Sequence, residues 1–300
     1  MSKIKIANAP CSWGVLEFDL EGQTAGYAQV LDEMVQAGYE GTEFGDWGFM
    51  PTDPVELRQE IKRRNLTLLA AFVPVALANP AAHRQGIDVA VKTAKLLAAV
   101  DDSPFIVLAD DNGSVETRTK NAGRIRPEQG LNGSQWKIYA QGAENLARTV
   151  LNEVGVRTVF HHHCAGYVET PAEVECLLNE TDSDLLGLCF DAGHFEYGGG
   201  NAVEGLNHFS ERIWHVHFKD CHPDVAAQAR TNAWDYFEAV KNGVFCELGK
   251  GSVDFTAILK EIQKMNYEGW IVVEQDVLPG MGSPLESAKR NREFLQSLGL

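Results

Sequence analysis

The chain has 300 residues, 44% of them apolar, and a formal charge of −16 from 26 Lys and Arg against 42 Asp and Glu. That supplies a sizeable core, in one large α/β domain or two smaller ones, and excludes disorder as the dominant state. The acid excess is spread along the chain and argues against nucleic-acid or anionic-membrane partners, which are held mainly by Lys and Arg. No apolar run approaches the roughly 20 residues of a membrane span, and Met1-Ser2-Lys3-Ile4-Lys5 lacks a signal-peptide core, so a cytoplasmic protein is expected. Cys11, Cys164, Cys176, Cys189, Cys221 and Cys246 are scattered singly, as reduced thiols are, and Cys11 is assigned no chemistry.

In chain order, short strand-like runs cover 4–10, 39–45, 66–74, 104–111, 156–163, 185–191, 213–220 and 269–276. Helical spacing fills 25–37, 54–65, 81–100, 134–153, 171–179, 202–211, 255–266 and 285–298. Asp53-Pro54 and Thr170-Pro171 place a capping side chain before a first-turn proline, and Thr170-x-x-Glu173 fits a capping box. Eight strand–helix units in a chain of this length predict an α/β fold of the (β/α)8 TIM-barrel type. A doubly wound sheet is the runner-up, but the glycine-rich dinucleotide turn after a first strand is missing; Gly198-Gly199-Gly200 follows a late strand instead. Two segments exceed what a barrel needs: 111–133, with Arg118, Lys120, Arg124 and Arg126, and 221–251, with a helix-like piece at 232–242. Both follow strands, so a single domain over 1–300 is expected, with lid-like insertions over the barrel mouth.

Chemistry-bearing residues collect at the C-terminal strand ends, where barrels place their sites. The second strand ends in Glu43-Phe44-Gly45-Asp46, the fourth in Asp110-Asp111-Asn112 and the fifth in His161-His162-His163. The sixth ends in Asp191-Ala192-Gly193-His194, the seventh in His215-Val216-His217-Phe218-Lys219-Asp220 and the eighth in Glu274-Gln275-Asp276. Closing the barrel gathers carboxylates and imidazoles that a divalent cation would offset; a mixed Asp/Glu/His set suits Mn²⁺, Co²⁺, Zn²⁺ or Mg²⁺. Alternation puts His215, His217 and Lys219 on one side of their strand, with His217 nearer the mouth and therefore the better ligand.

These residues resemble the xylose isomerase-like TIM-barrel superfamily of sugar isomerases and epimerases, and within it the inosose dehydratase branch. The likeness is carried by Asn8-Ala9-Pro10-Cys11-Ser12-Trp13-Gly14, Gly41-Thr42-Glu43-Phe44-Gly45, Met50-Pro51-Thr52-Asp53, Gln135-Trp136-Lys137, Tyr167-Val168-Glu169-Thr170, Cys189-Phe190-Asp191-Ala192-Gly193-His194, the strand-seven motif and Val273-Glu274-Gln275-Asp276. The resemblance implies a metal held by Asp191, His217 and Glu274, with Mn²⁺ or Co²⁺ favoured. Family members place a fourth ligand, a glutamate, at the end of strand five, where this chain has His161. Either His161 binds the ion or Glu169 supplies the carboxylate, and a hard cation tilts the choice to Glu169.

The resemblance implies a dehydratase acting on a cyclic polyol ketone such as 2-keto-myo-inositol, through an enediolate that the metal would stabilise. Candidates for proton transfer are Glu43, His163, His194 and Lys219. Trp13 and Trp47 are candidates to wall the apolar face of the substrate, and His161 contacts substrate if it does not bind metal. Sugar isomerisation or epimerisation shares the first half of this chemistry and is the leading alternative; a non-catalytic sugar-binding barrel is the alternative from another class. Barrels of this family often associate, so a homo-oligomer stays open.

Overall fold

The computed structural model describes residues 4–15, 25–277 and 281–300. One parallel sheet contains β1 (Lys5–Asn8), β2 (Gly41–Thr42), β3 (Thr67–Leu68), β4 (Ala70–Val75), β5 (Phe105–Asp110), β6 (Arg157–His161), β7 (Leu186–Asp191) and β8 (Ile213–Phe218). After a short antiparallel pair, β9 (Asp220–Cys221) and β10 (Phe245–Cys246), the last strand β11 (Trp270–Val273) joins the same sheet. Its order is β3-β2-β1-β11-β8-β7-β6-β5-β4. The two ends, β3 and β4, are halves of one run broken at Leu69. The Leu69 N–H donates to the Thr42 carbonyl and its own carbonyl accepts from the Phe105 N–H, both at 2.9 Å, so the ring of strands closes. With that broken run counted once, the barrel has its eight strands.

The helices are α1 (Tyr27–Ala37), α2 (Pro54–Lys62), α3 (His83–Ala98), α4 (Glu116–Lys120), α5 (Gly133–Val154), α6 (Pro171–Asn179), α7 (Ala192–Tyr197), α8 (Ala202–His208), α9 (Pro223–Thr231), α10 (Tyr236–Lys241), α11 (Phe255–Lys264) and α12 (Pro284–Ser297). Their starts follow the sequence signals. Asp53 accepts from the Val55 and Glu56 N–H groups, and Thr170 with Glu173 forms the capping box. The apolar stripe of α11, Phe255, Ile258, Leu259 and Ile262, packs in the layer between strands and helices. Each side chain fully buried there contributes about 1.5–3 kcal/mol. Small residues such as Ala7, Val107, Val159, Cys189 and Val272 fill the barrel interior, which leaves room at the upper rim for polar side chains. Among the described residues no helix is long and apolar enough to cross a membrane.

The two insertions pack on each other. Segment 111–133 carries α4, and segment 221–251 carries α9, α10 and β10; α9 and the antiparallel pair were not legible in the pattern. Ala122 joins Ala226, Ala229, Tyr236, Ala239, Val240 and Phe245 in a second apolar cluster, with Tyr197 and Cys164 from the rim. One basic residue from each insertion ties this packing together. Arg124 Nη1 donates to the Trp234 carbonyl at 2.7 Å, and Arg230 Nε, from α9, donates to the Gly123 carbonyl at 2.8 Å. Gly123 has φ +77°, and a Cβ there would meet the Tyr197 ring at 2.6 Å, so only glycine lets the segment pass. Arg118 is fully buried: Nε donates to the Gly166 carbonyl at 2.7 Å, and both terminal nitrogens donate to Glu173 at 2.8 Å.

Candidate metal centre and active site

The register of β7 and β8 sets Asp191 opposite His217. His161 is the last residue of β6, and the Glu274 N–H, one residue past β11, donates to the Phe218 carbonyl at 3.0 Å. Alternation along the strands turns all four side chains inward. One ligand-type atom from each lies within 4.8 Å of the others. His161 Nε2 is 3.6 Å from Asp191 Oδ2, and His217 Nδ1 is 3.3 Å from Glu274 Oε1 and 4.0 Å from Asp191 Oδ2.

The bonds these residues make leave atoms aimed at one another. Asp191 caps α7, its Oδ1 accepting the His194 N–H at 2.8 Å, while Oδ2 has no hydrogen-bond partner. Both ring nitrogens of His161 and Nδ1 of His217 also lack one. A buried polar atom left so costs about 1–3 kcal/mol, and a divalent cation among the four residues would satisfy Asp191 Oδ2, His217 Nδ1 and one ring nitrogen of His161 together. Carboxylate and unprotonated imidazole nitrogen are the forms that bind such an ion, so His217, which against the opposing effect of burial is held protonated by Cys189, Glu274 and Glu43, would give up its Nδ1 proton on binding. Burial, with the neighbouring His217 charge, lowers His161 to about 3, so its ring is neutral. Burial pushes the Asp191 carboxyl up, whereas at Glu274 the opposing effect of burial is outweighed by His217 and Lys219, which hold it well below the usual range. The residues present fit a divalent cation.

Glu43 stands behind this cluster. Its Oε1 accepts from His215 Nε2 at 2.8 Å and from His217 Nε2 at 2.9 Å. Burial opposes its ionisation, yet His217 and His215 draw it down to about 2. A carboxylate so engaged fixes which nitrogen of His217 carries the proton and turns Nδ1 toward the cluster. Glu43 also lines the cleft, so beside the expected proton-transfer role the two imidazoles bonded to its Oε1 give it the means to position His217.

Lys219 continues the inward column of β8. Its Nζ donates to Asp276 Oδ1 at 2.7 Å and to His194 Nε2 at 3.0 Å, and lies 3.3 Å from Glu274 Oε2. Gly193 makes this approach feasible, since a Cβ there would fall 2.7 Å from Lys219 Cγ. Burial alone would lower its pKa, but Asp276, Glu274 and Asp191 overcome that and hold it well above the ordinary lysine range. His194 therefore positions the ammonium. His163 has its Nδ1 2.6 Å from the Cys164 carbonyl, which makes Nδ1 the protonated nitrogen and Nε2 the acceptor.

Three expectations are overturned. Glu169 is not among the clustered residues: its Oε1 accepts the Gly123 N–H at 2.7 Å and its Oε2 the Ala165 N–H at 2.9 Å, so it fastens the first insertion to the rim. His161 stands with Asp191, His217 and Glu274 instead. Trp13 is buried in the layer beneath the helices, its indole N–H donating to Glu33 at 2.7 Å. Trp47 is 39% exposed, with Lys92 Nζ 3.9 Å over its ring. Neither tryptophan lines the cleft above the cluster. Its apolar wall is Ala9, Pro10, Val15 and Phe72; its polar wall includes His161, His163, Lys219, Glu274 and Asp276. Phe72 and Asp276 are site residues that the sequence reading did not select. Tyr236 is another: reaching in from α10, it donates to Asp276 Oδ2 at 3.1 Å and lies 3.4 Å from His163 Nε2.

Comparison with known proteins agrees with this architecture. Residues 31–298 match the family described as xylose isomerase-like TIM barrel. The inosose dehydratase of Geobacillus kaustophilus (strain HTA426) is 31% identical over 303 residues, covering 99% of this chain and 96% of that protein. The inosose dehydratase of Clostridium botulinum (strain Alaska E43 / Type E3) is 30% identical over 295 residues, 98% of this chain and 97% of that protein. The solved structure of the IOLI protein, which holds a zinc atom, superposes with a TM-score of 0.71 at 15% identity and 98% coverage of both chains, a likeness of fold. The chain thus belongs to the xylose isomerase-like TIM-barrel family, on its inosose dehydratase branch.

Proposed function

We propose that the protein is a divalent-metal-dependent dehydratase of a cyclic polyol ketone, 2-keto-myo-inositol, a carbon–oxygen lyase releasing water and a diketone. The observation that carries this reading is the convergence of unpartnered, buried ligand atoms from His161, Asp191 and His217, with Glu274 beside them, at the floor of a cleft whose wall bears one ammonium and one acceptor imidazole. His161, Asp191, His217 and Glu274 would hold the divalent ion, which would supply Lewis acidity to a ketone oxygen and so acidify the adjoining carbon–hydrogen bond. His163, its Nδ1 committed to the Cys164 carbonyl, takes the α-proton at Nε2. Lys219, held in place by Asp276 and His194, gives a proton to the β-hydroxyl, which leaves as water; the enol that remains relaxes to the diketone. Phe72, Ala9 and Pro10 cover the apolar face of the ring and exclude water.

The test is incubation of Mn²⁺- or Co²⁺-loaded protein with 2-keto-myo-inositol, following diketone absorbance and loss of one water by mass spectrometry. Both are expected. No mass change together with rapid epimerisation of a ketohexose would assign the site to isomerase or epimerase chemistry. Failure to incorporate solvent deuterium into recovered substrate as well as failure to form product would leave a binding protein.

A further inference from the structure

Next to the four-residue cluster lies a second convergence of ligand-type atoms. One ring nitrogen each from His163 and His194 and a carboxylate oxygen of Asp276 fall within 4.8 Å of one another, and all three residues are buried. Two imidazoles and a carboxylate form a set that first-row divalent ions accept. In this chain a cation of another kind is already seated against it. The Lys219 ammonium is 2.7 Å from Asp276 Oδ1 and 3.0 Å from His194 Nε2, hydrogen-bond distances to two of the three members. Glu274 joins the neighbouring positions, with Oε1 3.3 Å from His217 Nδ1 and Oε2 3.3 Å from Lys219 Nζ.

We propose that the Lys219 ammonium stands in a second cation site built from His163, His194 and Asp276, restricting the mouth to one divalent ion, and that removing the ammonium opens this site to a second ion. A fixed ammonium repels an incoming dication and occupies the lone pairs it would need. It also supplies charge to the polar wall while carrying a transferable proton of its own. Glu274 becomes the bridging carboxylate once a second ion enters, because its two oxygens already face the two positions. The count of one ion in the unaltered protein rests on the metal reading given above; the increment on removing Lys219 does not.

Metal content per chain after equilibrium dialysis against Zn²⁺ or Co²⁺, and isothermal titration of the metal-free protein, test this directly. One ion is expected in the unaltered protein and in Lys219→Arg, and two in Lys219→Met. Lys219→Gln, which keeps a polar side chain, is measured alongside and is also expected to hold two. Adding His163→Ala to Lys219→Met returns the count to one, which locates the second ion. Lys219→Met or Lys219→Gln protein with unaltered circular dichroism that binds no extra ion overturns the proposal, as does a second ion in the unaltered protein. No ion in the unaltered protein with one in Lys219→Met keeps the second site and overturns the four-residue centre.

Discussion

Replacing Glu43 by Gln is expected to weaken divalent-metal binding although Glu43 stands outside the four-residue cluster. One carboxylate oxygen accepts from His215 Nε2 at 2.8 Å and from His217 Nε2 at 2.9 Å, and all three side chains are buried. Hydrogen bonds to a charged group contribute about 1.5–3 kcal/mol each, against about 0.5–1.5 kcal/mol for neutral pairs, so exchanging carboxylate for amide forfeits roughly 1 kcal/mol per bond. Two bonds give about 2 kcal/mol, or about 30-fold at about 1.4 kcal/mol per factor of ten. That agrees with the roughly 10–100-fold loss typical of removing a carboxylate behind a metal-binding histidine. Competition of Mn²⁺ or Zn²⁺ with a chromogenic chelator measures it. An affinity unchanged in Glu43→Gln, with kcat lost, would refute the positioning role and leave Glu43 as a proton-transfer group.

Other outcomes follow from the contacts around the site. Arg118→Met takes the guanidinium from Glu173, which keeps only backbone N–H donors, and the donor from the Gly166 carbonyl, and urea unfolding should show a loss of about 3–5 kcal/mol. Glu169 is pushed by burial from 4.5 to about 7. Because the folded pKa lies above the unfolded one, its contribution to stability is fully present below about pH 4.5 and is lost as pH rises through about 7, a swing of about 3 kcal/mol. Glu169→Gln should remove that slope from the difference between pH 5 and pH 8 unfolding curves; parallel curves for the two proteins would contradict it. Phe72→Ala should raise KM, whereas Trp47→Ala, altered outside the cleft, should leave KM and kcat unchanged.

The sequence made the barrel legible because its apolar runs and capped helices recur in a strict alternation, and because strand ends are where a barrel exposes side chains. Asp191, His217 and Glu274 were readable for the same reason: each faces inward within one residue of the C-terminal end of its strand. His161 and Glu169 were not separable. The choice depended on the loop after β6, which carries Glu169 to the backbone of Gly123 and Ala165. The tryptophans failed for a similar cause. Strand β2 is only Gly41–Thr42, so alternation offers no guide to where Trp47 points. Tyr236 was hidden more deeply, since its approach to Asp276 follows from the docking of two insertions far apart in sequence.

The proposed dehydration rests on a cation held by His161, Asp191, His217 and Glu274. The most direct test is anomalous scattering from crystals loaded with Mn²⁺ or Zn²⁺. The expected result is a peak coordinated by these four side chains in the unaltered protein, absent in Glu274→Gln. A peak bound to the Glu169 carboxylate, or no peak at the four residues in a protein that still dehydrates 2-keto-myo-inositol, would contradict it.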